Sequence, residues 1–242
     1  MFGLGALMRR RGAVITLTNP RSYGPSPVPD EEMIGLLSAI KAALPQKRSY
    51  SVGLISTLAR EGTTTIAHSM AQVAARNPRT KVIMCRITHD PESKDEAAVP
   101  YVYLEPITHP ANAYAQNTSP QLAANAGSSN GGSYPLASTN GAQSGPMMGA
   151  LTSPSDLAYI VRSLTSSFDL VVVDLPPASE GPLGPSLCKG LDGVVVVVEA
   201  ERTRLPALRA TRKAIEMHGG TIIGSVLNKR RFYIPNALYK RL

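Results

Sequence analysis

Residues 51–71 read SVGLISTLAREGTTTIAHSMA and join an apolar run, a short loop and the start of a helix. The run at 52–57 predicts a strand, and residues 63–76 carry apolar side chains at helical spacing. Gly62 stands between them. This order is typical of a phosphate-binding loop, in which backbone N–H groups and the helix N-terminus face the anion. Thr64 then stands where a hydroxyl can hold Mg²⁺.

The same stretch departs from a working phosphate loop at one position. Such loops place a lysine after the last glycine, whereas this chain has Thr63 there. On the motif alone, a strand, a turn and a helix capped by threonine form the simpler interpretation.

The rest of the chain repeats the alternation of strands and helices. Further apolar runs lie at 82–87, 170–174, 194–198 and 222–227, and the two middle runs are almost pure valine, as in strands buried on both faces of a parallel sheet. Helical patterns occupy 30–44, 156–164 and 205–217. The sequence therefore predicts an α/β fold: a doubly wound, mainly parallel sheet of the P-loop NTPase type with helices on both faces.

Composition divides the chain into segments. We expect residues 1–29 to be a flexible N-terminal segment and 30–242 to form one domain, interrupted by a low-complexity insertion at about 106–155. The insertion contains no Asp, Glu, Lys or Arg and is rich in Ala, Asn, Ser and Gly, which predicts flexibility. The apolar runs are too short to cross a bilayer, and Cys85 and Cys188 form no CxxC pattern, so a cytosolic location is expected.

The net charge of +8 is concentrated at the C-terminal end. Residues 202–242 hold ten Lys and Arg against the single acid Glu216, while residues 1–201 are nearly balanced. A solvated basic face would explain this. The functional alternative is a docking surface for an acidic protein segment, an anionic membrane leaflet or nucleic acid, and nucleic acid is the least favoured because no RNA- or DNA-binding motif accompanies the charge. The predicted docking residues are Lys229, Arg230, Arg231, Lys240 and Arg241.

Two further motifs follow predicted strands. FDLVVVDLPPA at 168–178 ends an apolar strand in Asp174, the form of a Walker B element whose carboxylate holds Mg²⁺. GSVLNKRRFY at 224–233 places Asn228 after the last apolar run, where it can read a purine edge or form a turn.

Taken together, EGTTT, FDLVVVDLPPA, GVVVVVEAERTRLPALRATRKAI and GSVLNKRRFY resemble the bacterial tyrosine kinase family. These cytosolic P-loop autokinases work with co-polymerases in polysaccharide export and are relatives of the MinD and ParA ATPases. The resemblance covers roughly residues 30 to 240. Positions that match the family pattern are Phe168, Asp169, Asp174, Pro176, Pro177, Asp192, Gly193, Thr203, Arg204, Gly224 and Asn228.

The resemblance also shows which family positions have changed. The loop, PGEGKSTT in the family, has Thr63 at the lysine position and Arg60 at the first glycine position. The DxDxR segment after the second predicted strand is replaced by Arg86, Thr88 and Asp90. The ring-forming ExxRxxR helix retains Glu32 but has Gly35 and Ser38 in place of the arginines, and the C-terminal tyrosine cluster is reduced to Tyr233 and Tyr239.

Phosphoryl transfer depends on positioned charge, so several such losses make turnover improbable. The sequence predicts a pseudokinase that acts as a cytosolic interaction or regulatory component of polysaccharide synthesis and export, peripheral to the inner membrane. Its expected partner is a membrane co-polymerase or that protein's acidic cytosolic segment, or the anionic inner leaflet, and no cofactor is expected.

Two alternatives stay open: an atypical tyrosine kinase or ATPase, and a MinD- or ParA-type positioning ATPase. In either case ATP and Mg²⁺ would bind. Asp174 would then act in catalysis and share the metal with Thr64. The remaining nucleotide-site residues implied by the resemblance are Gly62, Thr63, Thr65, Arg60 and Asn228.

Overall fold

The computed structural model describes residues 13–18, 30–44, 47–88, 100–107, 147–151 and 153–230. Within these ranges eight strands form one sheet. The strands are β1 (Ala13–Thr18), β2 (Tyr50–Ser56), β3 (Val82–Thr88), β4 (Tyr101–Ile107), β5 (Met147–Ala150), β6 (Leu170–Asp174), β7 (Gly193–Glu199) and β8 (Ile222–Arg230). The α-helices are α1 (Asp30–Ala43), α2 (Thr63–Ala75), α3 (Pro154–Leu164), α4 (Leu183–Leu187) and α5 (Leu205–Met217).

The sheet has the strand order β1-β8-β7-β2-β6-β3-β4-β5. In this order, the first six strands, which run from β1 through β8, β7, β2 and β6 to β3, pair in parallel. The last two, β4 and β5, are antiparallel to their neighbours and form one edge of the sheet. The valine runs of β6 and β7 lie inside the sheet and are buried, as expected for strands covered on both faces. The predicted doubly wound, mainly parallel sheet is confirmed.

Helices cover both faces of the sheet because each helix has one apolar stripe to bury. On one face α1 and α2 bury Met33, Leu36 and Met70 in one core, with α1 lying beside β8 and α2 over β2, β3 and β6. On the other face α3, α4 and α5 pack Leu157, Leu187 and Ile215 against alternate residues of the same strands. No helix among the described residues is both long and apolar enough to span a membrane.

The structure differs from the sequence prediction in its edge strands. Residues 13–18 pair with β8, although the whole of 1–29 was expected to be a flexible segment. The boundaries of the expected insertion, 106–155, also take in the end of β4, all of β5 and the start of α3. The strands β1 and β5 are short and pair with strands distant in the sequence, which local patterns do not reveal. Residues 108–146, the bulk of the expected insertion, lie outside the described residues.

Asp192 fixes the register between β2 and β7. Its carboxylate accepts hydrogen bonds from the N–H of Ser51 at 3.0 Å and from its hydroxyl at 3.1 Å, and it also binds the ammonium of Lys47. Burial alone would raise the pKa of Asp192, but the hydrogen bonds from Lys47 and Ser51 outweigh that effect and hold the pKa below its ordinary value. The side chain therefore stabilises the fold in its charged form.

We predict that Asp192→Ala lowers the free energy of unfolding at neutral pH by about 1–3 kcal/mol, because the Ser51 N–H loses its acceptor. A lowered carboxyl pKa contributes stability that is present above the ordinary value, about 3.9 for aspartate, and is lost as the pH falls through the lowered value. Urea unfolding should therefore show the difference between the two proteins shrinking in strong acid.

The matched control is Asp30→Ala, which removes a half-exposed carboxylate paired with Arg76. Exposed pairs contribute little, so this change should cost at most about 1 kcal/mol. Equal losses in the two variants would contradict the role assigned to Asp192.

Candidate functional site

The candidate site lies at the carboxyl ends of β2, β6, β7 and β8, which is where open α/β folds usually bind their ligands. The loop at residues 57–62 leads from β2 into α2. Gly62 caps this helix with a φ of 94°, and a Cβ atom at this position would lie 2.3 Å from Nδ2 of Asn228. Both the backbone angle and the close approach require glycine here.

Glu61 is the most deeply buried charged residue of this loop, with no exposed surface. One carboxylate oxygen accepts hydrogen bonds from the N–H groups of Thr57 at 2.8 Å and Leu58 at 3.1 Å. The other oxygen accepts a hydrogen bond from the hydroxyl of Thr203. The buried charge is thus fully hydrogen-bonded, and it ties the loop both to itself and to the segment after β7.

Three successive carbonyl groups of the loop are held from outside. Those of Ala59, Arg60 and Glu61 accept hydrogen bonds from Arg202 (3.1 Å), Lys229 (2.7 Å) and Asn228 (2.8 Å) respectively. Glu199 joins the two cations, at 2.9 Å from Arg202 and 3.2 Å from Lys229. We call Glu199, Arg202, Asn228 and Lys229 the loop clamp.

Backbone strain is concentrated at the same place. Within the described ranges, the non-glycine residues with positive φ are Arg60 (65°), Glu201 (65°) and Lys229 (56°), and all three belong to the loop or to the segments that carry the clamp. Such angles cost free energy and persist only where surrounding contacts impose them. Burial alone would raise the pKa of Glu199, but the hydrogen bonds from Arg202 and Lys229 outweigh that effect and keep the pKa below its ordinary value, so the Glu199 carboxyl stays ionised.

Asp174, Thr64 and Arg86 form the second part of the site. The Thr64 hydroxyl donates a hydrogen bond of 2.7 Å to Oδ2 of Asp174, and Nε of Arg86 lies 3.9 Å from the same oxygen. Arg86 reaches it because it pairs with Asp174 across β3 and β6. Burial raises the pKa of Asp174 above its ordinary value, although Thr64 and Arg86 act in the opposite direction.

The structure brings several of the predicted site residues together. Asp174 and Thr64, the expected metal ligands, are in direct contact, and Asn228 contacts the loop. Thr63, at the lysine position, is buried, whereas Arg60 and Thr65 are exposed.

Two of the five expected docking residues are among the described residues. Lys229 is engaged in the loop clamp, and Arg230 ends β8. Arg231, Lys240 and Arg241 lie outside the described residues, as do Tyr233 and Tyr239.

Sequence reasoning missed Glu61, Glu199 and Arg202. A charged residue in a loop or after a strand is ordinarily solvated, so nothing in their local sequence indicates burial or clamping. Their signal was positional only: Glu61 lies within the loop motif itself, and the other two lie in the segment after β7 that the family resemblance covers.

The donor set fits Mg²⁺ and phosphate only in part. A hydroxyl beside a carboxylate suits Mg²⁺, which prefers oxygen ligands. The guanidinium of Arg86, however, lies 3.9 Å from the same carboxylate oxygen, and Thr63 offers no charge to the outer phosphates of a nucleotide. The residues present therefore do not fit Mg-ATP held as a working P-loop kinase holds it.

The fold and the strand–loop–helix unit define the chain as a P-loop α/β protein. No protein-family profile matches it. Over 84 residues the chain is 26% identical to a putative tyrosine-protein kinase, CapB, of Staphylococcus aureus, and this match covers 35% of the chain and 37% of the relative. The match thus spans little more than a third of that relative's length.

Solved structures extend the comparison over most of the chain. The kinase domain of the Escherichia coli tyrosine kinase ETK aligns with a TM-score of 0.51 at 16% identity, covering 89% of this chain and 86% of that one. The chimerical protein CapA2B2 aligns with a TM-score of 0.52 at 19% identity, covering 86% and 87%. The fold is that of bacterial tyrosine kinase domains, and the resemblance to that family drawn from the sequence motifs is confirmed.

We predict that Gly62→Ala destabilises the protein by at least about 2 kcal/mol, because alanine is strained at this φ and its methyl group would displace Asn228 from the loop. The matched control is Gly35→Ala in α1, where a Cβ meets no atom within 4 Å. That change should stabilise the helix by about 0.5–1 kcal/mol. Urea unfolding of the two variants compares them directly, and a neutral Gly62→Ala would contradict the close packing of Asn228 on the loop.

Proposed function

We propose that this chain is a pseudokinase relative of the bacterial tyrosine autokinases. It acts as a non-catalytic interaction or regulatory component in exopolysaccharide or capsule synthesis and export. The observation that carries the proposal is the position of Arg86, whose guanidinium lies 3.9 Å from the carboxylate oxygen of Asp174 that would bind Mg²⁺.

The position of Arg86 matters because of charge. In phosphoryl transfer the metal ion balances the negative charge of the phosphates, and a Walker B carboxylate holds that ion. An arginine beside the carboxylate already supplies a positive charge, which repels a divalent cation. The same oxygen of Asp174 also accepts a hydrogen bond from the Thr64 hydroxyl, so a metal ion would have to displace that contact.

The loop itself supports the same conclusion. Thr63 replaces the lysine that would reach the outer phosphates. Two cations that reach the loop from other segments, Arg202 and Lys229, donate hydrogen bonds to its carbonyls and are paired with Glu199. A cation paired in this way is a poor substitute for a mobile lysine, because a ligand would first have to break its existing contacts. Glu61, whose carboxylate accepts hydrogen bonds from Thr57, Leu58 and Thr203, holds the loop from its buried side.

The biological setting of the proposal comes from the family resemblance. In that setting the partner is a membrane polysaccharide co-polymerase or its acidic cytosolic segment, and the protein lies at the cytosolic side of the inner membrane. A fold retained after loss of catalytic charge is consistent with selection for binding.

One observation favours a second candidate, an atypical nucleotide-dependent kinase or ATPase. The hydroxyl of Thr64 and the carboxylate of Asp174 are 2.7 Å apart, as a shared Mg²⁺ site requires, and about half of the Arg86 side chain is exposed. If Arg86 moved toward a bound phosphate, it would supply the charge missing at Thr63.

Calorimetric titration with Mg-ATP and with Mg-ADP separates the two candidates. We expect no binding by the unaltered protein at nucleotide concentrations up to about 1 mM, which corresponds to a binding free energy weaker than about −4 kcal/mol. The double variant Thr63→Lys with Arg86→Asp restores both lost charges of the family pattern and should gain measurable affinity.

Tight binding by the unaltered protein, abolished by Asp174→Ala and unaffected by Asp30→Ala, would overturn the pseudokinase proposal in favour of the second candidate. Thermal unfolding of each variant verifies that a loss of binding does not reflect a loss of fold.

A further inference from the structure

We propose that the outward face of α5 is a docking surface for an anionic lipid bilayer. This α5 surface consists of Arg209, Lys213 and Met217, together with Lys189 beside the end of the helix. The proposed function places the protein beside the inner membrane, and the α5 surface is the part that would contact it. The proposal rests on the proposed function only for that location.

Some basic residues of the C-terminal region are paired with acidic side chains, and others are not. Arg202 and Lys229 belong to the loop clamp, and Arg212 is paired with Glu216 within α5. Among the described residues, no acidic side chain pairs with Arg204, Arg209 or Lys213. Of the cations with no acidic partner in the described residues, Arg209 and Lys213 therefore lie on α5.

The geometry of α5 places Arg209, Lys213 and Met217 on one side of the helix. Leu208, Thr211 and Ile215 are buried against the sheet. Arg209 and Lys213 are exposed and four residues apart, so they are neighbours on the helix surface.

Met217 follows after another four residues, and 73% of its surface is exposed. Lys189 is exposed and lies against the end of the helix, since a Cβ atom on Gly219 would be 3.7 Å from its Cγ.

The chemistry of this surface suits a bilayer better than a peptide. An exposed helix face is convex, whereas peptides usually bind in a groove or along a sheet edge. Cations near an anionic leaflet each contribute to binding, and an exposed methionine among them can enter the headgroup boundary. The only acid on the exposed side of the helix, Glu216, is balanced by Arg212.

The experiment is co-sedimentation of the full chain with vesicles of phosphatidylglycerol and phosphatidylcholine, compared with vesicles of phosphatidylcholine alone. We expect binding to the anionic vesicles only. The double variant Arg209→Glu with Lys213→Glu should weaken it at least about tenfold, since two cations become anions. Met217→Ser should weaken it by a smaller factor, and added salt should reduce binding by the unaltered protein.

The control with the same charge change is Lys41→Glu with Arg79→Glu, which alters two exposed cations away from α5. It should keep most of the binding. An equal loss in both double variants would show a general effect of net charge and overturn the proposal, as would no binding to anionic vesicles. A third arm of the experiment uses a poly-glutamate peptide. Binding of that peptide without binding to vesicles would overturn the bilayer proposal in favour of an acidic protein partner.

Far-UV circular dichroism of each variant excludes unfolding as the cause of any loss. The outcome is distinguishable from that of the proposed function, because vesicle binding does not depend on whether the phosphate loop accepts Mg-ATP. Tight nucleotide binding would overturn the pseudokinase proposal and leave the α5 surface intact.

Discussion

The buried carboxylate of Glu61 is the interaction on which the site geometry depends. A buried charge is costly unless hydrogen bonds replace its water, so this carboxylate requires the N–H groups of Thr57 and Leu58 and the hydroxyl of Thr203. Meeting that requirement folds the loop back on itself and draws in the segment after β7. The loop carbonyls then face Arg202, Asn228 and Lys229, which hold them.

The consequence for chemistry is that the site keeps its shape while its charges are redistributed. A kinase of this fold would reserve its cations for the ligand, whereas here the protein itself uses them. Arg86 balances Asp174 across adjacent strands, and Lys229 balances Glu199 across the mouth of the loop. Both pairings follow from the parallel sheet, which brings the ends of distant strands to one edge.

The sequence was sufficient for the parts of the fold that depend on local pattern. The valine runs and the periodic helices were found with ends within about three residues, and the contact of Asp174 with Thr64 follows from their positions at strand and helix ends. The strands β1 and β5 were missed because pairing with a distant strand, rather than composition, makes them strands, and β4 was missed because it runs into the expected insertion. The loop clamp was missed because its residues are distant in the sequence. Lys229 contacts Glu199 only because β7 and β8 are neighbours in the sheet.

The antiparallel hairpin of β4 and β5 has an evolutionary consequence. Leu104 pairs with Met147, so two residues more than forty positions apart in the sequence are held side by side in the sheet. For a flexible connection between two fixed ends, each doubling of its length costs only about 0.6 kcal/mol of closure entropy. This point of the chain can therefore gain or lose sequence between lineages, or accept an engineered reporter, without altering the register of β3 beside Asp174.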